Sequence, residues 1–248
     1  MSDKIVVSFN DICLNNKNGK QIFSNLNFNI FEGEKIFILG HDDKERSLIF
    51  ECILGVIKSS IGKALILNKD VNTLNKKKLF ELRKKIGYIY PQNGLLKNIS
   101  IEENICLPLI FNSELTEENI NKRLMLIYDM FKLTKDIVKK EAWGLANTLE
   151  KKILMARAII NKPSLLLIDE PTTYIEKKDI NEIKYLIDKI IKEQFLSQST
   201  TIIVTSEDME WAKESGDKII LLKDGKIDFF GNSADFNIEL YEDYNIFY

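Results

Sequence analysis

The sequence predicts an α/β fold: a mostly parallel sheet with helices on both faces, antiparallel strands at the N-terminus, and an inserted α-helical subdomain. Three observations lead there. The apolar runs at residues 35–39, 164–168 and 200–204 are continuous rather than alternating, as in strands buried on both faces. Helical patterns separate those runs, the order expected of parallel strands joined by crossover helices. Residues from about 95 to 148 then read as helical throughout and interrupt the alternation.

Taken in order, residues 4–9 alternate loosely and open the first strand, and the Asn-rich stretch 15–19 reads as a polar turn. In 21–30, Ile22, Leu26, Phe28 and Ile30 face one way, and Asn25, Asn27 and Asn29 the other. The turn EGE at 32–34 feeds the buried run KIFIL, which ends at Gly40. SLIFECILGVI at 47–57 predicts a short helix with two apolar faces, 62–67 a strand, 74–85 a basic helix and 86–90 another strand. LTEENINKRLMLIYDMFKL at 115–133 carries apolar residues at helical spacing, opened by Thr116 with Glu118 behind it. A helix over 177–193 lies between the last two buried runs, and no internal repeat or low-complexity linker is visible.

Composition narrows the chemistry. The 248 residues are 45% hydrophobic and 29% charged, enough apolar material for a sizeable core. Lys and Arg total 35 against 37 Asp and Glu, with only 4 Arg, so a nucleic-acid partner is not expected. The single histidine, His41, excludes multi-His metal sites. Cys13, Cys52 and Cys106 make neither a disulfide framework nor a metal pattern, which suggests a reducing compartment. No window reaches the roughly 18 apolar residues of a membrane span, nor does MSDKIVVSFN look like a signal peptide. The expectation is a soluble chain.

The strongest local signal is LLLIDEP at 165–171. It places Asp169 and Glu170 at the carboxyl end of a buried strand, where open α/β sheets bind ligands. Read alone, this is more simply a strand ending in a charged turn. The flanks decide. KILMARAII at 152–160 stands ahead of the strand and resembles the signature helix of the ATP-binding cassette (ABC) ATPases. GEKIFILG at 33–40 is similar to their strand into the phosphate loop, and LFELRKKIGYIYPQ at 79–92 to the approach to their Q-loop. NISIEENICLPL at 98–109 resembles the opening of their helical subdomain, and DKIILLKDGKIDFFG at 217–231 their closing hairpin. The resemblance covers about residues 4–236. It implies an ABC-type P-loop NTPase core of one domain over 1–240, RecA-like over about 1–94 and 149–236. The helical subdomain would span about 95–148, with a tail at 237–248.

Several motifs depart from the family. Its GxxGxGK[ST] loop, whose backbone amides converge on phosphates, falls on GHDDKERS at 40–47. Gly40 and Ser47 remain, Arg46 replaces the Lys, and Asp43 and Glu45 replace two glycines, where positive φ would be costly. Asp42, Asp43 and Glu45 would face a polyphosphate. One such like-charge pair about 4 Å apart costs on the order of 4 kcal/mol at an effective dielectric near 20. The LSGGQ signature becomes Leu145, Ala146, Asn147, Thr148 and Leu149. The switch histidine aligns with Ser206, the D-loop aspartate with Glu176, and the adenine-stacking aromatic with Asn16. The Q-loop glutamine falls on Pro91, with Gln92 one place later. Only the Asp169–Glu170 pair is intact.

The resemblance implies ATP and Mg²⁺ as cofactors. Asp169 and Ser47 would serve the metal, Glu170 would be a vestigial general base, and Ser206 would stand at the switch position. The degraded phosphate loop (Gly40, Asp43, Glu45, Arg46, Ser47), Gln92 and the degraded signature (Ala146, Asn147, Thr148) would border the nucleotide. The implied partners are a membrane permease and a second cassette, self or paralogue. The chain would be cytoplasmic, peripheral on the inner membrane through that permease. ISIEENICLPL and DEPTTYIE look most similar to phospholipid-transport cassettes of the Mla/Mce type, which adds Mce-type lipid-binding subunits as partners. Two main functional readings stand: a pseudo-ATPase with a structural or regulatory role, and a working ATPase with atypical motifs in a lipoprotein-release or cell-division transporter. A cassette scaffold outside transport is the weakest. Residues 107–111 (LPLIF) read as core or as a permease contact, with core favoured. The aromatic tail 241–248 reads as a frayed end or a docking segment.

Overall fold

The computed structural model describes residues 4–16, 18–92, 94–111, 115–192, 196 and 199–245. Among them the chain forms β1 (Ile5–Asn15), β2 (Gln21–Phe31), β3 (Lys35–Gly40), α1 (Asp43–Ile53), β4 (Ile61–Ile66), β5 (Lys69–Asp70), α2 (Lys76–Arg83) and β6 (Ile86–Ile89). There follow α3 (Ile101–Cys106), α4 (Glu117–Phe131), α5 (Lys135–Val138), α6 (Asn147–Ile159), β7 (Leu165–Ile168) and α7 (Ile180–Lys192). The last elements are β8 (Thr201–Thr205), α8 (Met209–Ser215), β9 (Lys218–Lys223) and β10 (Lys226–Asn232). They sort into two compact units, residues 1–83 with 199–248, and residues 84–198.

The first unit holds an antiparallel sheet in the order β2-β1-β4-β5. β1 runs on through Asn15, past the Phe9 predicted as its end, because Asp11 at φ 54° bulges the strand without ending it. The same unit holds a mixed, mostly parallel set. β3 pairs in parallel with β8 on one side and β9 on the other, and β10 returns antiparallel to β9. Ile36, Phe37, Ile38 and Leu39 are all fully buried, which accounts for the continuous apolar run of β3. The β9–β10 turn sits on Asp224 and Gly225, both at positive φ, as tight hairpins of right-twisted strands require.

The second unit pairs β6 with β7 in parallel, Ile86 opposite Leu165, and all four residues of β7 are buried. α6 packs on β6, and Ile153, Leu154 and Ala158 of the helix are buried. The stretch expected to be helical carries α3, α4 and α5. α3 opens on a complete capping box between Ser100 and Glu103, and α4 on the predicted Thr116 cap, which accepts from the Asn119 amide. The apolar stretch 107–111 divides: Leu109 is buried and Ile110 is 70% exposed.

Two predicted helices begin elsewhere. The helix expected at 47–57 starts four residues sooner, at Asp43, because Asp42 caps it there. The helix expected from 177 opens as a 3₁₀ turn over Lys177–Asp179 before α7. The start of the tail is fastened to its own unit. Phe236 is fully buried, edge-on to Phe229 and stacked on Tyr241, and its carbonyl accepts from Lys213 Nζ at 2.8 Å. The aromatics Tyr244, Phe247 and Tyr248 have side chains outside the described residues. No helix of the described residues is long and apolar enough to cross a membrane, and the three cysteines are thiols.

Candidate functional site

The sequence-predicted residues fall into two half-sites, one per unit. The first unit brings Gly40, Asp43, Glu45, Arg46 and Ser47 to the carboxyl end of β3. Ser206 joins them from β8, the Ser206 amide donating to the Ile38 carbonyl at 3.2 Å. The second unit holds Asp169, Glu170, Gln92, Ala146, Asn147 and Thr148.

In the first half-site, a helix start is the local consequence of the sequence. Asp42 is extended and its carboxylate Oδ1 accepts from the Lys44 amide at 2.8 Å and the Glu45 amide at 3.4 Å. These are the first-turn donors that attract anions at helix N-termini, and here the chain's own carboxylate takes them. The Arg46 amide donates to the Asp42 carbonyl at 3.2 Å. The Arg46 side chain, 2% exposed, folds back and donates through Nη1 to the Gly40 carbonyl. Glu45 turns sideways, and its carboxylate accepts from the Gly225 amide at 3.3 Å. Burial pushes the Glu45 carboxyl pKa upward, that hydrogen bond opposes the shift, and the charges of Asp42 and Asp224 add to it.

The strain expected of non-glycine residues here is absent. No residue from 40 to 47 has a positive φ, since Asp43 and Glu45 lie within α1. Helix has replaced the open loop because Asp42 caps it and first-turn carboxylates favour the dipole. Gly40 has a packing reason: a Cβ there would sit 3.0 Å from the Leu222 carbonyl oxygen. A triphosphate at this end would have to displace the Asp42 carboxylate and face Asp43. The residues as they stand do not fit that group.

Ser206, 2% exposed, accepts through Oγ from the Asp208 amide at 3.1 Å, a turn that leads into α8. Asn16 is also a turn former: its Oδ1 accepts from the Asn18 and Lys20 amides, both at 2.9 Å.

In the second half-site, β7 delivers Asp169 and Glu170 into the interior at 1% and 6% exposure. The Asp169 amide donates to the Ile89 carbonyl at 3.0 Å, and its Oδ2 accepts from the Tyr88 hydroxyl at 2.6 Å. Glu170 has φ 41°, a left-handed conformation that a side-chain-bearing residue rarely adopts without a tertiary constraint. Beside them Lys151 of α6 is 3% exposed, and its Nζ donates to the carbonyls of Pro91 at 2.7 Å and Tyr90 at 3.3 Å. Burial pulls the Lys151 pKa down to about 8, while the charges of Asp169, Glu150 and Glu170 resist that shift.

Gln92 is exposed and lines a cleft with Asn147, Glu150, Lys151 and Tyr174. The Asn147 amide Nδ2 donates to the Tyr174 carbonyl at 2.8 Å, and Thr148 Oγ1 to Asp179 Oδ2 at 2.6 Å. Ala146 is the N-cap of α6 and supplies no side-chain acceptor. Glu176 pairs with Lys178 at 2.8 Å on the exposed surface.

Sequence reasoning missed Asp42 as a cap, Tyr88 and Lys151. Two signals were present. Asp42 stands three residues before Glu45 in the pattern of a helix start, and Lys151 shares a helical face with Leu154, Met155 and Ala158.

The ABC transporter family model matches residues 23–173. An uncharacterised ABC transporter ATP-binding protein of Methanocaldococcus jannaschii, MJ0796, is 30% identical over 218 residues, covering 86% of this chain and 91% of that one. The phosphonates import ATP-binding protein PhnC of Fusobacterium nucleatum is 27% identical, covering 90% and 91%. A lipoprotein-releasing system ATP-binding protein, LolD 1 of Chlorobium chlorochromatii, is 28% identical, covering 88% and 86%. Among solved structures, the dimeric post-hydrolysis state of MJ0796 bound to ADP and Pi has a TM-score of 0.80 at 28% identity, covering 93% of this chain and all of that one. CbiO1 of Clostridium perfringens, part of the ABC transporter complex cbiONQ, shares the fold with a TM-score of 0.79 at 24% identity, covering 97% and 92%.

Proposed function

The chain belongs to the ABC transporter family as a cassette subunit, and from that premise we propose that it is a pseudo-ATPase with a structural or regulatory role in a membrane transporter. The observation that carries this reading is the phosphate loop. Asp42 caps the helix end that would receive phosphates, and Arg46 is folded onto the Gly40 carbonyl. The altered signature at Ala146, Asn147 and Thr148 and the serine at 206 point the same way.

The partners that fit are a second cassette and a permease. The dimeric state of MJ0796 and the place of CbiO1 in cbiONQ support that assembly. So do the exposed apolar residues Ile110, Met125 and Leu126 of the second unit. Through the permease the chain would sit on the cytoplasmic face of the membrane. As cargo we infer phospholipid, of the Mla/Mce type with Mce-type lipid-binding subunits, from the ISIEENICLPL and DEPTTYIE segments. That inference rests on motif resemblance; the relatives named above include a phosphonates import cassette and a lipoprotein-releasing one.

Calorimetric titration of the full chain with ATP and Mg²⁺ tests the reading. No binding is expected up to millimolar nucleotide. Micromolar affinity, with turnover abolished by Glu170→Gln, would overturn it and favour the working ATPase, which the intact Asp169–Glu170 pair supports.

A further inference from the structure

The acid pair of the second unit is tied to the Gln92 segment through two side chains that the family's chemistry does not require. The Tyr88 hydroxyl donates to Asp169 Oδ2 at 2.6 Å, so the strand residue β6 contributes meets the carboxylate at the end of β7. Two residues further on, the ring of Tyr90 lies 4.2 Å from that of Tyr88, centroid to centroid. The carbonyls of Tyr90 and Pro91 then receive the Lys151 ammonium from α6. Beyond them Gly94 passes so close to α6 that a Cβ would stand 2.7 Å from Leu154 Cδ2.

A buried lysine ammonium is costly unless hydrogen-bonded and balanced by charge. Here two carbonyls supply the bonds, and Asp169, Glu150 and Glu170 supply the charge. Glu150 Oε1 is itself buried with no hydrogen-bond partner among the described residues, and its charge acts on the ammonium across space. A phenol thus meets these carboxylates by a hydrogen bond to Asp169, and a protein-borne cation balances them by charge.

We propose that Lys151 and Tyr88 form an internal latch, holding residues 88–92 and the acid pair in one arrangement without nucleotide or metal. Lys151 and Tyr88 are positioning residues in this scheme. The latch rests on the pseudo-ATPase reading. It would make that segment a fixed strut.

Hydrogen exchange read by mass spectrometry on the full-length chain tests the latch. In the wild type, peptides spanning 88–96 are expected to exchange at the same rate with and without millimolar Mg²⁺ and ATP. Lys151→Met should raise their exchange about tenfold, the scale of losing a hydrogen bond to a charged group. Peptides from β3 and β8 should not change. Lys151→Arg, which can still donate to both carbonyls, should restore protection, and Tyr88→Phe should loosen the same peptides in a chain that keeps Lys151. Unchanged exchange at 88–96 in both Lys151→Met and Tyr88→Phe would overturn the latch and leave the pseudo-ATPase reading standing. Micromolar ATP binding by calorimetry would instead sink that reading directly. Faster or slower wild-type exchange at 88–96 on adding Mg²⁺ and ATP would overturn the latch.

Discussion

Asp42 and Arg46 stand in the loop where a cassette would meet phosphates, Lys151 feels the charge of the Asp169–Glu170 pair, and each is satisfied by a group of the protein itself. Asp42 contributes as an N-cap, so Asp42→Ala should lower stability by about 1 kcal/mol in urea unfolding. Restoring the family pattern by Asp43→Gly, Glu45→Gly and Arg46→Lys together removes the first-turn helix formers and two carboxylates. Calorimetry should then detect ATP binding that the wild type lacks; if the triple variant folds and still binds nothing, residues 43, 45 and 46 are not what excludes nucleotide. Lys151 gives a pH signature. Its folded pKa of about 8 lies below the ordinary 10.5, so between those values the unfolded chain binds more protons than the folded one. Stability from this group is therefore lowest below pH 8 and rises toward pH 10.5, by on the order of 3 kcal/mol. Other groups titrate in that window, so the measurement is the difference between wild type and Lys151→Met at pH 7.5, 9 and 10.5. The gap should shift in favour of the wild type as pH rises, and a gap constant with pH would refute the assignment. Lys151→Met leaves the Tyr90 and Pro91 carbonyls without their donor, so circular dichroism of the variant accompanies the comparison.

At the scale of elements, the buried runs were legible because a strand covered on both faces must be apolar at every position, and Ile36, Phe37, Ile38 and Leu39 are. Thr116 was legible as a cap because its hydroxyl answers a local need of the next three residues. What misled was the start of α1. The likeness to a phosphate loop suggested open backbone to Ser47, whereas Asp42 and the acidic first turn favour helix from Asp43. The ties from Tyr88 to Asp169, 81 residues apart, and from Lys151 to Pro91, 60 apart, were not legible, since no local pattern encodes which carbonyl a buried ammonium will find. Turns and ends carry their own tests. Gly225 has φ 70°, and a Cβ on it would overlap the Ile22 carbonyl oxygen. Gly225→Ala should cost at least about 2 kcal/mol, more than an ordinary surface change. Phe236, buried between Phe229 and Tyr241, should cost about 3 kcal/mol or more on truncation to alanine. A neutral result there would mean that the Phe229–Phe236–Tyr241 cluster does not help hold its unit.

For the whole molecule, the fold class followed from the sequence while the fate of the nucleotide did not, because the same α/β frame serves with or without a competent loop. The family match over residues 23–173 and the TM-score of 0.80 with MJ0796 reflect the frame. Side chains at 42, 46, 88 and 151 change almost nothing in such a superposition, yet they decide what the half-sites can bind. Ligand linkage turns that difference into a global observable. A cassette with Kd near 10 μM in 1 mM nucleotide, a hundredfold excess over Kd, gains about 2.7 kcal/mol of folded-state stability. For a chain of 248 residues, each kcal/mol moves the melting temperature by about 2–4 °C, so a working site would announce itself as a rise of about 5 °C or more. The wild-type chain is expected to melt within about 1 °C of its nucleotide-free value in 1 mM ATP and Mg²⁺, by differential scanning fluorimetry. The Asp43→Gly/Glu45→Gly/Arg46→Lys variant should start lower, from two glycines placed in a helix at about 1 kcal/mol each, and should rise when nucleotide is added. The two effects have opposite sign and separate cleanly: loss of helix lowers the starting point in every condition, whereas a regained phosphate site raises the melt only when ATP is present. A nucleotide-dependent rise in the wild type would mean that the Asp42 carboxylate yields to phosphate, and that the loop does not exclude nucleotide.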